Sequence, residues 1–332
     1  MTPVQNPKVS IIIPAYNAAA CLERAVKSVQ AQTEQSFEII VIDDCSSDAT
    51  VQTATELGRL DPRVRLIVLS SNGGPSVARN AGIAEAKGEW LAILDADDAF
   101  KPDRLRRLIS FGEERGLDLV GDDLTYFDSE ANAEVGLANI VQSNAPVRLT
   151  AESFLQSCTF KPGLLEILFK EQKQFSLLKY VVSVDFLRRK SLRYWDRLRY
   201  GEDFVFIFEI LKMGAAAMLL PEPLYVYSQQ YGSLSGKRSS LSRTVADRSS
   251  MLRTVDELVE RYPSLTRVER NLLLDRKAAS LGLREFETAR GLIREKKITA
   301  GIGHVARNPE AIRFALLETR RALQRRISTL SR

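Results

Sequence analysis

Histidine, cysteine and long apolar runs are scarce in this chain, and each shortage closes off a class of explanation. Three cysteines, Cys21, Cys45 and Cys158, are scattered among 332 residues with no Cys-x-x-Cys pair. An odd, dispersed set fits a reducing compartment and supplies no disulfide framework. The single histidine, His304, has no partner at metal-ligand spacing, so it reads as structural. No apolar stretch approaches the ~18–20 residues a spanning helix needs. The opening Met-Thr-Pro-Val-Gln-Asn-Pro-Lys also lacks the charged-then-apolar pattern of a secretion signal. The expectation is a cytoplasmic protein that does not cross a membrane. No Gly-x-Gly-x-x-Gly follows the first apolar run, which disfavours a dinucleotide-dependent dehydrogenase. Nucleic acid is not an expected partner either, because no binding motif or interleaved aromatics accompany the basic residues.

What remains is an ordinary globular composition, 45% hydrophobic and 27% charged, with a modest net charge of +5. This length can bury a large core and suggests two domains, or one with an appendage. The most informative stretch is Trp90-Leu-Ala-Ile-Leu-Asp95-Ala-Asp97-Asp98-Ala-Phe-Lys-Pro102. A short apolar run, patterned as a buried strand, ends in three carboxylates within four positions, and a proline able to open a helix follows. Crowded carboxylates repel one another unless a cation or hydrogen bonds compensate. Oxygen ligands of this type suit Mg²⁺ or Mn²⁺ held by one or two carboxylates plus substrate phosphates. A solvated acidic cap is the alternative.

The flanking sequence repeats one pattern. Strands are expected at Val9–Ile13, Phe37–Ile42, Val64–Leu69 and Trp90–Leu94. Helices are expected from Ala18 (capped by Asn17) to Gln30, from Ser47 or Asp48 to Leu60, from Ser76 to Lys87 and from Pro102 to Glu114. Short strands alternating with ~12-residue helices predict βαβ units, with a parallel sheet covered by helices on both faces. Ligands of such sheets bind outside the carboxyl ends of the strands. Pro14-Ala-Tyr16-Asn17, Asp43-Asp44, Asn72-Gly-Gly with Arg79-Asn80, and Asp95-x-Asp97 all fall at those ends. An aromatic ring, an acceptor for a base N–H, an arginine and a metal-type acidic pair suit a nucleoside diphosphate.

Four motifs in order over residues 8–103 resemble the nucleotide-binding half of family 2 glycosyltransferases. They are Val-Ser-Ile-Ile-Ile-Pro-Ala-Tyr-Asn (9–17), Val-Ile-Asp-Asp-Cys-Ser-Ser-Asp (41–48), Asn-Gly-Gly-Pro-Ser-Val-Ala-Arg-Asn-Ala-Gly (72–82) and Leu-Asp-Ala-Asp-Asp (94–98), the last followed by Lys-Pro-Asp-Arg-Leu (101–105). The resemblance implies the GT-A fold, a Rossmann-like mixed sheet in three α/β/α layers, a nucleotide-sugar donor, usually a UDP-sugar, and a divalent cation. By position, Asp44 would contact uracil and Tyr16 would lie near the base. Pro14, Arg79, Asp95 and Ala96 would complete the nucleotide-sugar site, and Asp97 would hold Mg²⁺ or Mn²⁺.

In the second half a short strand at Leu117–Val120 is expected, then an irregular polar loop over 128–150 and a short helix from Thr150 to Gln156. Tyr200-Gly-Glu202-Asp203 then opens an apolar helix from Phe204 to about Met213. A carboxylate there meets the positive end of the helix dipole, which suits either a plain cap or a general base. The resemblance assigns the catalytic base of inverting members to Asp203, with Glu202 as its neighbour and alternate. Residues 178–203 are similar to bacterial exopolysaccharide enzymes of the succinoglycan-assembly type. The match departs at Ser228 and Gln230, where many relatives carry Arg and His. Neither side chain can supply positive charge, which moves the burden to the metal or to Lys237 and Arg238.

From about Ser239 the chain reads as helices. Residues 307–332 carry seven Arg against two Glu, with apolar positions at helical spacing. This basic amphipathic helix would either pack on the domain or lie on an anionic membrane surface at the inner face of the cell membrane. The expected organisation is residues 1–115 as the nucleotide-sugar half, 116–238 as the acceptor half with the base, and 239–332 as a helical appendage. The expected activity is transfer of a hexose, glucose from UDP-glucose first, onto a lipid-linked oligosaccharide in exopolysaccharide synthesis. Two alternatives stand beside it: a weakly active or non-catalytic nucleotide-binding partner of an assembly complex, and a soluble enzyme with a protein or small-molecule acceptor.

Overall fold

The computed structural model describes residues 6–159, 174–229 and 241–309, with 311–312 and 315–316. It divides into two compact units. One holds residues 1–154 and 174–236, the other 155–173 and 237–332. The expected nucleotide half and acceptor half share the first unit, because one sheet runs through both.

In the first unit β1 (Val9–Ala15), β2 (Phe37–Asp43), β3 (Val64–Val68) and β4 (Trp90–Ile93) alternate with α1 (Leu22–Gln30), α2 (Thr50–Leu60) and α3 (Pro75–Glu85). The four strands lie in the order β3-β2-β1-β4, all parallel. Ile11, Ile12 and Ile13 are fully buried, which is why the β-branched run folds as a central strand. Each such side chain contributes about 1.5–3 kcal/mol by leaving water. Register sets Ala15 beside Asp43 and Asp43 beside Val68, so these strands end flush and their polar loops share one edge.

The sheet continues as a mixed one. Beyond β4 come β9 (Tyr180–Ser183), antiparallel to both neighbours, then β6 (Leu119–Asp128), β10 (Ala217–Gln229) and the short β5 (Ala99–Phe100). Residues 128–150, expected as an irregular loop, instead form β7 (Ala133–Leu137) against β6 and β8 (Val147–Arg148) against β10. Every position of β7, Ala-Glu-Val-Gly-Leu, is exposed, and β8 has two residues, so neither shows the alternation of a half-buried strand. The strand β5 leaves no periodicity in the sequence, being a two-residue bridge against Tyr225 and Val226. The helices α4 (Arg104–Glu114), α5 (Ala151–Cys158), α6 (Val184–Lys190) and α7 (Glu202–Lys212) also precede β10.

Helix starts differ from expectation for definable reasons. α1 begins at Leu22 rather than Ala18, because Asn17 adopts φ 51° and its side chain accepts from the Ser47 N–H instead of capping. Asp48 accepts from Ala19 N–H and Thr50 N–H, so it ties the two loops together as α2 begins.

The second unit contains α8 (Leu241–Arg261), α9 (Arg267–Arg294) and α10 (Ile298–Ala306). Thr266 and Glu269 form a full capping box at the start of α9, and Val255, Leu258 and Leu273 are fully buried. No helix among the described residues is long and apolar enough to cross a membrane. Most of the basic segment 307–332 lies outside the described residues, as do Gln230, Lys237 and Arg238.

Candidate active site

The strand-end loops are fastened to one another before any ligand is considered. The two carboxylate oxygens of Asp44 accept from the N–H groups of Gly73 and Gly74, at 2.7 and 2.8 Å. Gly74 has φ 86°, a conformation that favours glycine, and Pro75 then opens α3. Asp44, expected at uracil, is therefore also the clamp that shapes the Asn-Gly-Gly-Pro turn. Tyr16 stands half-exposed at the end of β1, with its ring open to solvent, while Pro14 and Ala96 line the same edge of the sheet.

Arg79 is the hub. It projects from α3, is almost fully buried, and meets Asp95 at 3.0 Å, Glu202 at 2.8 Å and Asp203 at 3.2 Å. Sequence reasoning placed this arginine at the nucleotide; its contacts in the structure are three carboxylates. A second cation, not assigned a role from sequence, shares the work. Lys179, just before β9, lies 2.9 Å from Asp95 and 2.8 Å from Asp203. Burial alone would raise both carboxyls, but Lys179 and Arg79 outweigh it. Asp95 and Asp203 are held below the ordinary carboxylate range and stay ionised. The Tyr194 hydroxyl donates to the other oxygen of Asp203 at 3.2 Å, and its ring stacks on Phe206 with centroids 4.0 Å apart.

Why Lys179 sits there follows from a buried pair beneath it. Arg104, the arginine of Lys-Pro-Asp-Arg-Leu, makes two bonds to Asp122 at 2.9 and 2.7 Å and a third to the Lys179 carbonyl at 2.7 Å. Both members of the pair are fully buried, and the guanidinium lies over the rings of Phe100 and Tyr225. The loop before α7 is held as firmly. Asn80 bonds the backbone of Tyr194 in both directions, Ser76 donates to the Leu198 carbonyl, and Arg199 donates twice to Asn72. Gly201 at φ 72° lets the chain turn into α7, whose first turn carries Glu202 and Asp203.

The acidic turn divides its three carboxylates among three environments. Asp95 belongs to the cluster above. Asp98 is buried and accepts from the Tyr225 hydroxyl at 2.6 Å and the Ser228 N–H at 2.8 Å, so it anchors β10. Asp97 is different: among the described residues no side chain donates to its carboxylate, and burial, then the charge of Asp95, pushes its pKa to about 6. An unpaired, partly buried carboxylate whose ionisation is penalised suits a hard cation. No cluster of three or more metal-type side chains forms among the described residues. The donor chemistry therefore fits Mg²⁺ or Mn²⁺ held by Asp97, with substrate phosphates and water supplying the rest.

A sheet of this order with a carboxylate turn at its strand ends is the GT-A architecture. TarS residues 1–349 of S. aureus, in complex with UDP-GlcNAc, superposes with a TM-score of 0.60 at 20% identity, covering 95% of this chain and 87% of that one. The mannosyltransferase PcManGT of Pyrobaculum calidifontis, with GDP-Man and Mn²⁺, gives 0.56 at 18% identity, covering 97% and 81%. The fold is thus of the GT-A class. Residues 10–199 match the model for glycosyl transferase family 2, and the chain belongs to that family. Over 234 residues it is 36% identical to the succinoglycan biosynthesis protein ExoO of Rhizobium meliloti, 69% of this chain but only 63% of that relative's length.

Proposed function

We propose that this chain is an inverting glycosyltransferase that moves a hexose, with glucose from UDP-glucose as the first donor to test, onto a hydroxyl of a lipid-linked oligosaccharide in exopolysaccharide synthesis. One observation carries the reading. Asp203, ionised and fixed by Arg79, Lys179 and Tyr194, shares a single cluster with Asp95, two residues from the unpaired Asp97. Family membership and the name of the ExoO relative support the sugar-transfer class and the polysaccharide context.

In this mechanism Asp203 accepts the proton of the acceptor hydroxyl as that oxygen bonds to the anomeric carbon. The bond from that carbon to the phosphate oxygen breaks on the opposite face, and UDP leaves with the electron pair. Asp44 and Tyr16 would hold the base, with Pro14, Asp95 and Ala96 along the donor. Glu202 keeps Arg79 in place beside Asp203. A cation at Asp97 would supply charge compensation for the diphosphate, strongest as the transition state forms. The basic segment 307–332 would bring the enzyme to the inner membrane face, where its acceptor resides.

Product formation on lipid extract, together with UDP calorimetry, tests the assignment. Asp203→Asn is expected to abolish transfer with UDP affinity nearly unchanged. Loss of both would make Asp203 structural. Asp97→Ala is expected to remove the Mn²⁺-dependent part of UDP binding; unaltered Mn²⁺ dependence would overturn the metal assignment.

A further inference from the structure

Arg24 stands in the first turn of α1 and reaches the backbone of the acidic turn. Its Nη2 donates to the backbone carbonyl of Asp97 and to the hydroxyl of Ser228. The guanidinium lies over the Phe127 ring, 4.6 Å from its centre. One side chain therefore joins α1, the carboxylate turn and the end of β10. Among the described residues its Nε and Nη1 donors have no hydrogen-bond partner.

The charge distribution makes those free donors informative. Arg79 and Lys179 are spent on Asp95, Glu202 and Asp203. Asp98 is engaged by the Tyr225 hydroxyl and the Ser228 N–H. Among the described residues Arg24 meets no carboxylate side chain; its contacts are a carbonyl, a hydroxyl and an aromatic face. It carries an unpaired positive charge one peptide away from the Asp97 carboxylate. A planar fork with two free donors matches phosphate oxygens better than a point charge does.

We propose that Arg24 binds the diphosphate of the nucleotide donor through its free Nε and Nη1 donors, while Nη2 holds the Asp97 turn and Ser228 in place. The assignment rests on the donor reading above. Arg24 then offsets charge on the departing diphosphate from a helix early in the chain, where Ser228 at the end of β10 offers only a hydroxyl.

Calorimetric titration of UDP and of uridine, each with and without Mn²⁺, tests this on the native chain, on Arg24→Ala, and on Arg24→Ala combined with Ser228→Arg. Arg24→Ala is expected to weaken UDP binding by roughly tenfold or more, the worth of hydrogen bonds to a charged group, with or without Mn²⁺. Uridine affinity is expected to stay the same, which also shows that the base site is folded. Because Ser228 touches the same guanidinium, an arginine at 228 approaches the same place from β10, and the double variant is expected to regain most of the loss. Unchanged UDP affinity in Arg24→Ala would overturn the proposal. So would an equal loss for uridine, which would make Arg24 a turn support, and so would a double variant with no recovery. A native chain that binds uridine but not UDP would overturn the donor reading and this assignment together.

Discussion

Replacing Lys179 by methionine removes one of the two cations that hold the catalytic cluster, and the consequence can be worked from the geometry. Three carboxylates, Asp95, Glu202 and Asp203, would then face Arg79 alone. Lys179 is only 8% exposed, so water cannot take its place without rearrangement. Removing one partner of a buried charge network costs about 3–5 kcal/mol. At roughly 2–4 °C per kcal/mol for a unit of this size, the melting temperature should fall by roughly 6–20 °C at pH 7. The sign with pH follows from Asp203. Its folded-state pKa is depressed by Arg79 and Lys179 against the effect of burial, so its stabilisation is present above the ordinary carboxylate value of ~3.9 and fades as pH falls through the depressed one. The gap between native chain and variant should therefore be wide at pH 7 and narrow below pH ~4. With Lys179 gone the Asp203 pKa rises, so the acid limb of the transfer profile should also move to higher pH. Circular dichroism melts across this range, with rate profiles beside them, make the check. A melting temperature unchanged at pH 7, or a gap that does not narrow in acid, would refute the argument.

Two further outcomes rest on buried pairs elsewhere in the first unit. Arg104→Met should destabilise it by about 3–5 kcal/mol, because Asp122 is left buried and alone. Arg104→Met combined with Asp122→Leu should recover much of that in urea titrations, and a double variant no better than the single one would place the cost in the lost bond to the Lys179 carbonyl. The hydrogen bond from Arg63 lowers the Asp61 pKa to about 2 despite burial, so Asp61→Asn should weaken the fold above pH ~4, with the difference disappearing as pH falls toward 2.

The division between what was legible in the chain and what was not follows the range of the forces involved. Local patterns determined β1 to β4, the helices between them and the convergence of Tyr16, Asp44, Arg79 and Asp97 on one sheet edge, because strand and helix periods and turn residues act over a few positions. The helical start at Glu202-Asp203 was equally local. Only the tertiary structure decided that β9 enters antiparallel between β4 and β6, because strand order depends on which apolar faces meet and not on any one segment. That insertion brings Lys179 to Asp95 and Asp203 across 84 and 24 positions of sequence, where no spacing rule reaches. The same holds for Arg104 under Lys179 and for Arg24 at Ser228. Charges pair by distance in space, and the sequence by itself determines which charges exist, while the fold decides which of them meet.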